Sequence, residues 1–363
     1  MVVLLMLIPC LACCLPAKGA EPRKDAQARE GGLAWKCVWV WGLPGKTEQD
    51  AVDNIELARS AGFSAFALQS RSAAYRRHAV SYGREHGVEV YMVLNPVYGE
   101  WGWRTEPGIE VPETCLQEYP TEETDRLNNP THPDDVAYPG PWLCIDRPEV
   151  RRYAAETAKA LVREYRPTGI ALDFVGYKNY SGCRCPYSAR KRPEFAAKHP
   201  GLSDDEVERD FSLTMLRTLY EEVRSAVKSE DAEAKLMCHV YPPFNPRRFY
   251  GNRLPVEYPC ETVAWFFKPH WPIEAVAANC AAVKQGEHKH HDYVTATGFI
   301  GLDMDAKALK TPERLRAELR AIKESGLNAL CIAGGAAFLK DPNLTRVLSQ
   351  ELAGSNPSAS ATN

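Results

Sequence analysis

One aspartate stands out among the residues whose types and spacing could do chemistry. The segment Gly169–Tyr177 reads GIALDFVGY. In a strand, successive side chains point to opposite faces. Ala171, Asp173 and Val175 therefore share one face, and Ile170, Leu172 and Phe174 the other. A carboxylate on the inner face of a sheet is costly to bury unless it is paired or hydrogen-bonded. Asp173 is thus either catalytic or a member of a buried polar network. The segment KLMCHVY (235–241) places Met237, His239 and Tyr241 on one face in the same way. Trp39 and Trp41 end another apolar run, Gln69 and Asn95 end two more, and Lys268 and His270 follow a further one. With Tyr177 these make a set of rings, amides and cations around one carboxylate. Ring faces stack on sugar C–H faces, and fixed polar groups partner hydroxyls, so the set suits a carbohydrate. Cleaving a glycosidic bond calls for two carboxyls, ~5–5.5 Å apart for retention and ~6.5–9.5 Å for inversion, and one must stay protonated to act as acid. Glu257 is the favoured second carboxyl, with Glu100, Asp303 and Asp305 as the other candidates.

These side chains need a scaffold that brings distant segments to one place. After residue 32 a strand-then-helix rhythm repeats. Strands are predicted over 33–43, 63–69, 88–95, 169–177, 235–241, 262–268, 293–299 and 328–334. Helical spacing and stop signals predict helices over 48–61, 73–86, 148–165, 204–229, 272–285, 311–325 and 341–352. The slot between Pro242 and Cys260 is rich in Pro and Arg and reads as loop, as does the long segment 97–147 with Trp101, Trp103 and Trp142. Strict alternation of this kind predicts an α/β fold, a single (β/α)8 TIM barrel with a long loop after strand three. A doubly wound open sheet is the alternative, but neither G-x-G-x-x-G nor a P-loop follows an early strand. In a barrel the active site lies at the C-terminal ends of the strands, where Asp173 and its companions fall.

Residues 142–195 carry a more specific pattern. Trp142, Cys144 and Pro148 to Arg151 open a helix; Gly169, Ile170, Leu172, Asp173 and Tyr177 follow; then come Cys183, Cys185 and Phe195. This stretch resembles the core of the glycoside-hydrolase-like TIM barrels of secreted bacterial proteins. The resemblance implies a glycosidase acting on an oligo- or polysaccharide, with Asp173 where such enzymes hold a nucleophile or base and with no cofactor. A catalytically inactive sugar-binding barrel, or a metal-dependent hydrolase or deacetylase using Asp173, His239 and His270, are the alternatives.

Composition bounds the remaining classes. The 363 residues include 44 basic and 47 acidic side chains, a net charge of -3, and this near-balance argues against a nucleic-acid partner. Residues 2–15 (VVLLMLIPCLACCL) form an apolar run shorter than the ~20 residues of a membrane span. Segment 1–20 reads as a signal peptide or lipoprotein leader, 21–32 as a linker, 33–353 as the barrel and 354–363 as a disordered tail. An exported protein is expected, periplasmic, extracellular, or anchored through a lipidated Cys13. Of the twelve cysteines, three lie in the leader and nine remain. Cys37, Cys238 and Cys331 sit in apolar runs and read as buried thiols. Cys115 and Cys144 flank the long loop and could form a disulfide. Cys183-Arg184-Cys185 lacks a second pair at zinc spacing, which leaves a metal pair completed by histidine or two free thiols. His288, His290 and His291 read as a solvated loop on the opposite, N-terminal face.

Overall fold

The computed structural model describes residues 33–97, 109–120, 141–179, 181–240, 250–265, 269–286, 295–302 and 309–352. Eight parallel strands close into one barrel in sequence order. They are β1 (Trp35–Trp41), β2 (Ala65–Leu68), β3 (Glu89–Leu94), β4 (Gly169–Leu172), β5 (Lys235–Val240), β6 (Tyr258–Ala264), β7 (Thr297–Gly301) and β8 (Ala329–Gly335). Around them lie α1 (Glu48–Ser60), α2 (Ala73–Glu85), α3 (Pro148–Tyr165), α4 (Pro186–Lys198), α5 (Asp204–Glu230), α6 (Ile273–Gln285), α7 (Pro312–Glu324), the short α8 (Ala337–Lys340) and α9 (Pro342–Leu352). The expected TIM barrel is therefore the fold, and the open sheet is excluded by the pairing of β1 with β8.

Local chemistry sets the helix ends. Thr47 and Asp50 form a reciprocal capping box at the start of α1, and Ser203 and Glu206 do the same for α5. Each satisfies two backbone N–H groups that no carbonyl of the helix can reach. Pro148 and Pro312 open α3 and α7, where a missing N–H costs nothing. The slot between β5 and β6 contains only a 3-10 turn, Gly251–Arg253, among its described residues. Its Pro-rich composition predicts such a weak slot.

Alternation along the strands decides what fills the barrel. Ile170 and Leu172 of β4 are fully buried on the face turned away from Ala171 and Asp173. Burying such a side chain contributes about 1.5–3 kcal/mol. The inward residues form tiers. At the N-terminal end Trp35 stacks on Tyr258 with centroids 3.9 Å apart and meets Tyr91 edge-on at 6.0 Å. Glu89 accepts hydrogen bonds from Trp35 Nε1 (2.9 Å) and the Tyr91 hydroxyl (2.8 Å) and pairs with Lys235. Gly169 keeps space for this floor: a Cβ there would lie 2.1 Å from the Lys235 carbonyl oxygen and 2.9 Å from the Tyr91 ring. Above it sit the thiols of Cys37, Cys260 and Cys331. Burial pushes all three up, Cys260 to about 11, so they remain protonated and apolar in character, as expected for Cys37 and Cys331.

Three strands depart from expectation: β4 ends at Leu172, five residues before the expected Tyr177, and β6 and β7 are shifted. β7 starts four residues later than expected, and β6 starts at Tyr258 rather than Thr262. Pro259 sits second in β6, a place where a missing N–H is tolerated. The β6 shift moves Glu257 from a loop at the mouth to the N-terminal edge of its strand.

Candidate active site

Asp173 follows the last residue of β4 and lies inside the C-terminal end of the barrel, 2% exposed. Its backbone N–H extends the ladder to the Leu94 carbonyl (3.0 Å). Oδ1 accepts the Phe174 N–H at 3.0 Å and lies 3.3 Å from His239 Nδ1. Phe174 takes φ 51°, the left-handed region that costs a non-glycine residue about 1–3 kcal/mol and that concentrates at functional sites. The turn delivers its N–H to the carboxylate, and the Phe174 ring packs edge-on against Trp142 at 6.3 Å.

His239 is held on every side. Its ring stacks on Phe299 at 3.9 Å and meets Trp39 edge-on at 6.3 Å. Nε2 lies 3.1 Å from the Thr262 hydroxyl, which donates its single proton to the Val240 carbonyl at 3.2 Å. The Thr262 hydroxyl thus links His239 to the strand backbone. Asp173 and His239 form a buried carboxylate–imidazole pair, 2% and 8% exposed.

The other expected residues divide clearly. Gln69 and Asn95 follow the last residues of β2 and β3, at the same end of the barrel as Asp173; Asn95 is buried and Gln69 half-buried. Trp41 is half-buried beside Trp39, with centroids 6.4 Å apart. Trp39 is fully buried, and its Nε1 finds no acceptor among the described residues. His270 is half-buried after β6, next to Trp271, whose ring stacks on Trp265 at 5.3 Å. Tyr241, Lys268, Glu100, Trp101, Trp103, Asp303, Asp305 and the histidines at 288, 290 and 291 lie outside the described residues.

Two expectations are corrected. Glu257 is not at the mouth: its carboxylate accepts two hydrogen bonds from Arg224 (3.0 and 2.8 Å), one from Leu236 N (2.7 Å), and pairs with Lys228 at 3.2 Å. It pins α5 to the N-terminal edge of the sheet. Tyr177 does not line a subsite either. It is fully buried, and its hydroxyl bonds Asp146 Oδ1 at 2.6 Å and the Ser212 carbonyl at 3.1 Å.

The cysteines are also rearranged. All nine described are free thiols, so Cys115 and Cys144 form no disulfide, although Cys144 N donates to the Cys115 carbonyl at 2.7 Å. Cys144 instead meets Cys183 and Cys185, the one group of metal-ligating side chains gathered among the described residues. Sequence reasoning passed over Thr262, because the boundary of β6 was placed too late. It also passed over Asp146 and Ser188, whose only signal is their closeness to the cysteines.

No protein-family model matches the sequence, and no curated protein matches it. Solved structures do match by fold. Alpha-L-fucosidase isoenzyme 2 from Paenibacillus thiaminolyticus has a TM-score of 0.53 at 15% identity, over 88% of this chain and 49% of that one. The PgaB (BpsB) glycoside hydrolase domain from Bordetella bronchiseptica has a TM-score of 0.59 at 13% identity, over 87% of this chain and 98% of that domain. The beta-galactosidase from the psychrophilic Marinomonas ef1 has a TM-score of 0.58 at 9% identity, over 88% and 59%. The chain spans about half to three-fifths of the fucosidase and the galactosidase but nearly all of the Bordetella domain. It thus shares the TIM-barrel fold of glycoside hydrolases.

Proposed function

We propose that this protein is a glycoside hydrolase acting on an oligo- or polysaccharide outside the cytoplasm, with Asp173 as nucleophile or base. The observation that carries the reading is the pairing of a buried carboxylate with a buried imidazole at the C-terminal ends of neighbouring strands. At such a position in a barrel, side chains serve chemistry more than stability. As a nucleophile or base, Asp173 acts ionised, oriented by the Phe174 N–H and by His239 Nδ1 at 3.3 Å. Trp41, Gln69, Asn95 and His270 supply stacking and hydrogen bonds at the mouth, and the Trp39 N–H is a donor that a bound hydroxyl can satisfy. With Glu257 at the other end of the barrel, the proton donor comes from Glu100 after β3 or from Asp303 or Asp305 after β7.

One observation favours a second reading, a sugar-binding barrel without turnover. Among the described residues, none of the other strand ends presents a carboxylate beside Asp173. Reducing-end release from a panel of oligosaccharides, with isothermal titration of the same sugars, separates the two. A hydrolase loses about 10²–10⁴-fold in kcat on Asp173→Asn; a binder shows no turnover and keeps its affinity in the variant.

A further inference from the structure

We propose that Cys144, Cys183, Cys185 and Ser188 form a closed structural site for a thiophilic divalent cation of the zinc class. The site is independent of Asp173 and does not rest on the hydrolase reading.

The three thiols come from two segments that only the fold unites. Cys144 lies ahead of α3, and Cys183 and Cys185 lie between β4 and α4, with Cys185 as the residue capping α4. All three are buried, at 0%, 0% and 1% exposure. Their sulfurs fall within 4.8 Å of one another. The Cys144 and Cys185 sulfurs are 3.7 Å apart. A tetrahedral zinc with Zn–S bonds of ~2.3 Å places its sulfurs ~3.8 Å apart. The Ser188 hydroxyl oxygen stands 3.6 Å from Cys144 Sγ and 3.3 Å from Cys185 Sγ. An oxygen ligand at ~2.0 Å from the same ion would lie ~3.5 Å from each sulfur. Cys144, Cys185 and Ser188 therefore already stand at tetrahedral ligand spacing, with the Cys183 sulfur within 4.8 Å of the other two sulfurs.

The surroundings are polar rather than those of packed apolar thiols. Cys183 Sγ accepts backbone N–H bonds from Cys185 (3.3 Å) and Glu118 (3.4 Å). The Ser188 hydroxyl donates its proton to Asp146, which turns a lone pair of its oxygen toward the sulfurs. Asp146 is fixed in turn by the Tyr177 hydroxyl at 2.6 Å. A ligand oriented by a buried carboxylate is the usual outer-shell arrangement of a metal centre. Binding one M²⁺ releases three thiol protons to solvent and leaves a net charge of about -1 on the cluster.

The ion would act as a clamp. Arg184 N donates to the Glu118 carbonyl (2.8 Å), Gln117 Nε2 donates to the Gly176 carbonyl (2.9 Å), and Lys178 N donates to Gln117 Oε1 (3.0 Å). These bonds already stitch the segment 109–120 to the loop that starts at Asp173. Coordination would lock Cys144 into the same wall.

The test uses the full chain purified under reducing conditions without chelator. Elemental analysis should find about one zinc per chain. Cobalt(II) added to metal-stripped protein should give the near-ultraviolet thiolate-to-cobalt band, which zinc then displaces. Cys183→Ser and Cys185→Ser should each abolish stoichiometric binding, Asp146→Asn should weaken it about 10–100-fold, and Cys37→Ser should leave it unchanged. Alkylation mapping on the unaltered protein covers the case of a variant that fails to fold. There the three cysteines should be protected until a chelator is added. Absence of bound zinc and cobalt in the reduced chain, unchanged binding in the cysteine variants, or a disulfide joining any two of the three would overturn the proposal.

Discussion

Glu318 offers the sharpest quantitative test of how this barrel is held together. Its carboxylate receives Lys310 Nζ at 2.9 Å and Arg314 Nε at 2.7 Å, and the Lys310 and Glu318 side chains have no exposure at all. At 2.9 Å and an effective dielectric of about 20, the Coulomb attraction of the buried pair is about 6 kcal/mol. Desolvation of both ions offsets much of it, so the pair adds little net stability over apolar residues of the same size. Breaking it is different. Glu318→Gln keeps the volume but takes the carboxylate away from the buried ammonium, which should cost about 3–5 kcal/mol. For a barrel of this size each kcal/mol moves Tm by about 1.5–2 °C, so the midpoint should fall by about 5–10 °C. Lys310→Met combined with Glu318→Leu removes both buried charges, while Arg314, 20% exposed, can turn to solvent. That double variant should recover most of the loss. The assay is thermal and urea unfolding of the single and double variants followed by circular dichroism. A single variant that loses less than about 1 kcal/mol, or a double variant that falls by the sum of its parts, refutes the reasoning.

Other substitutions test the geometry elsewhere. Gly169→Ala should destabilise by about 1–3 kcal/mol or more, because the new methyl meets the Lys235 backbone rather than a movable side-chain tip; urea midpoints check it. Glu257→Gln should lower stability while leaving sugar turnover or binding unchanged, and a loss of turnover at unchanged stability would return Glu257 to the site. Thr262→Val removes the hydroxyl that His239 Nε2 contacts. It should shift the pH profile of turnover more than it changes the affinity for sugar, and pH-dependent kcat and KM separate the two.

The barrel was legible because seven of its helices carry start and stop signals and its strands keep a period of two, whereas α4 and α8, with no side-chain cap, were not expected. Asp173 was legible for the same reason: only alternation is needed to turn it inward once β4 is recognised. Glu257 misled because Pro259 reads as a break, and the apolar run TVAWFFK draws the strand four residues too far along. One boundary error of that size moves a side chain from the mouth of a barrel to its floor. The thiol cluster lay beyond linear reading for another reason. Cys144 and Cys185 stand 41 positions apart, with all of α3 and β4 between them, so no local spacing marks them as partners.

The aromatic floor has a consequence for traffic. Trp35, Tyr91 and Tyr258, sealed by the Glu89–Lys235 pair, make the barrel a cup rather than a tube. Whatever reaches Asp173 arrives through the mouth, and whatever is released must leave the same way. On the proposed hydrolase reading, substrate and product share that end of the barrel. The floor, cut off from that opening, is free to be selected for rigidity alone.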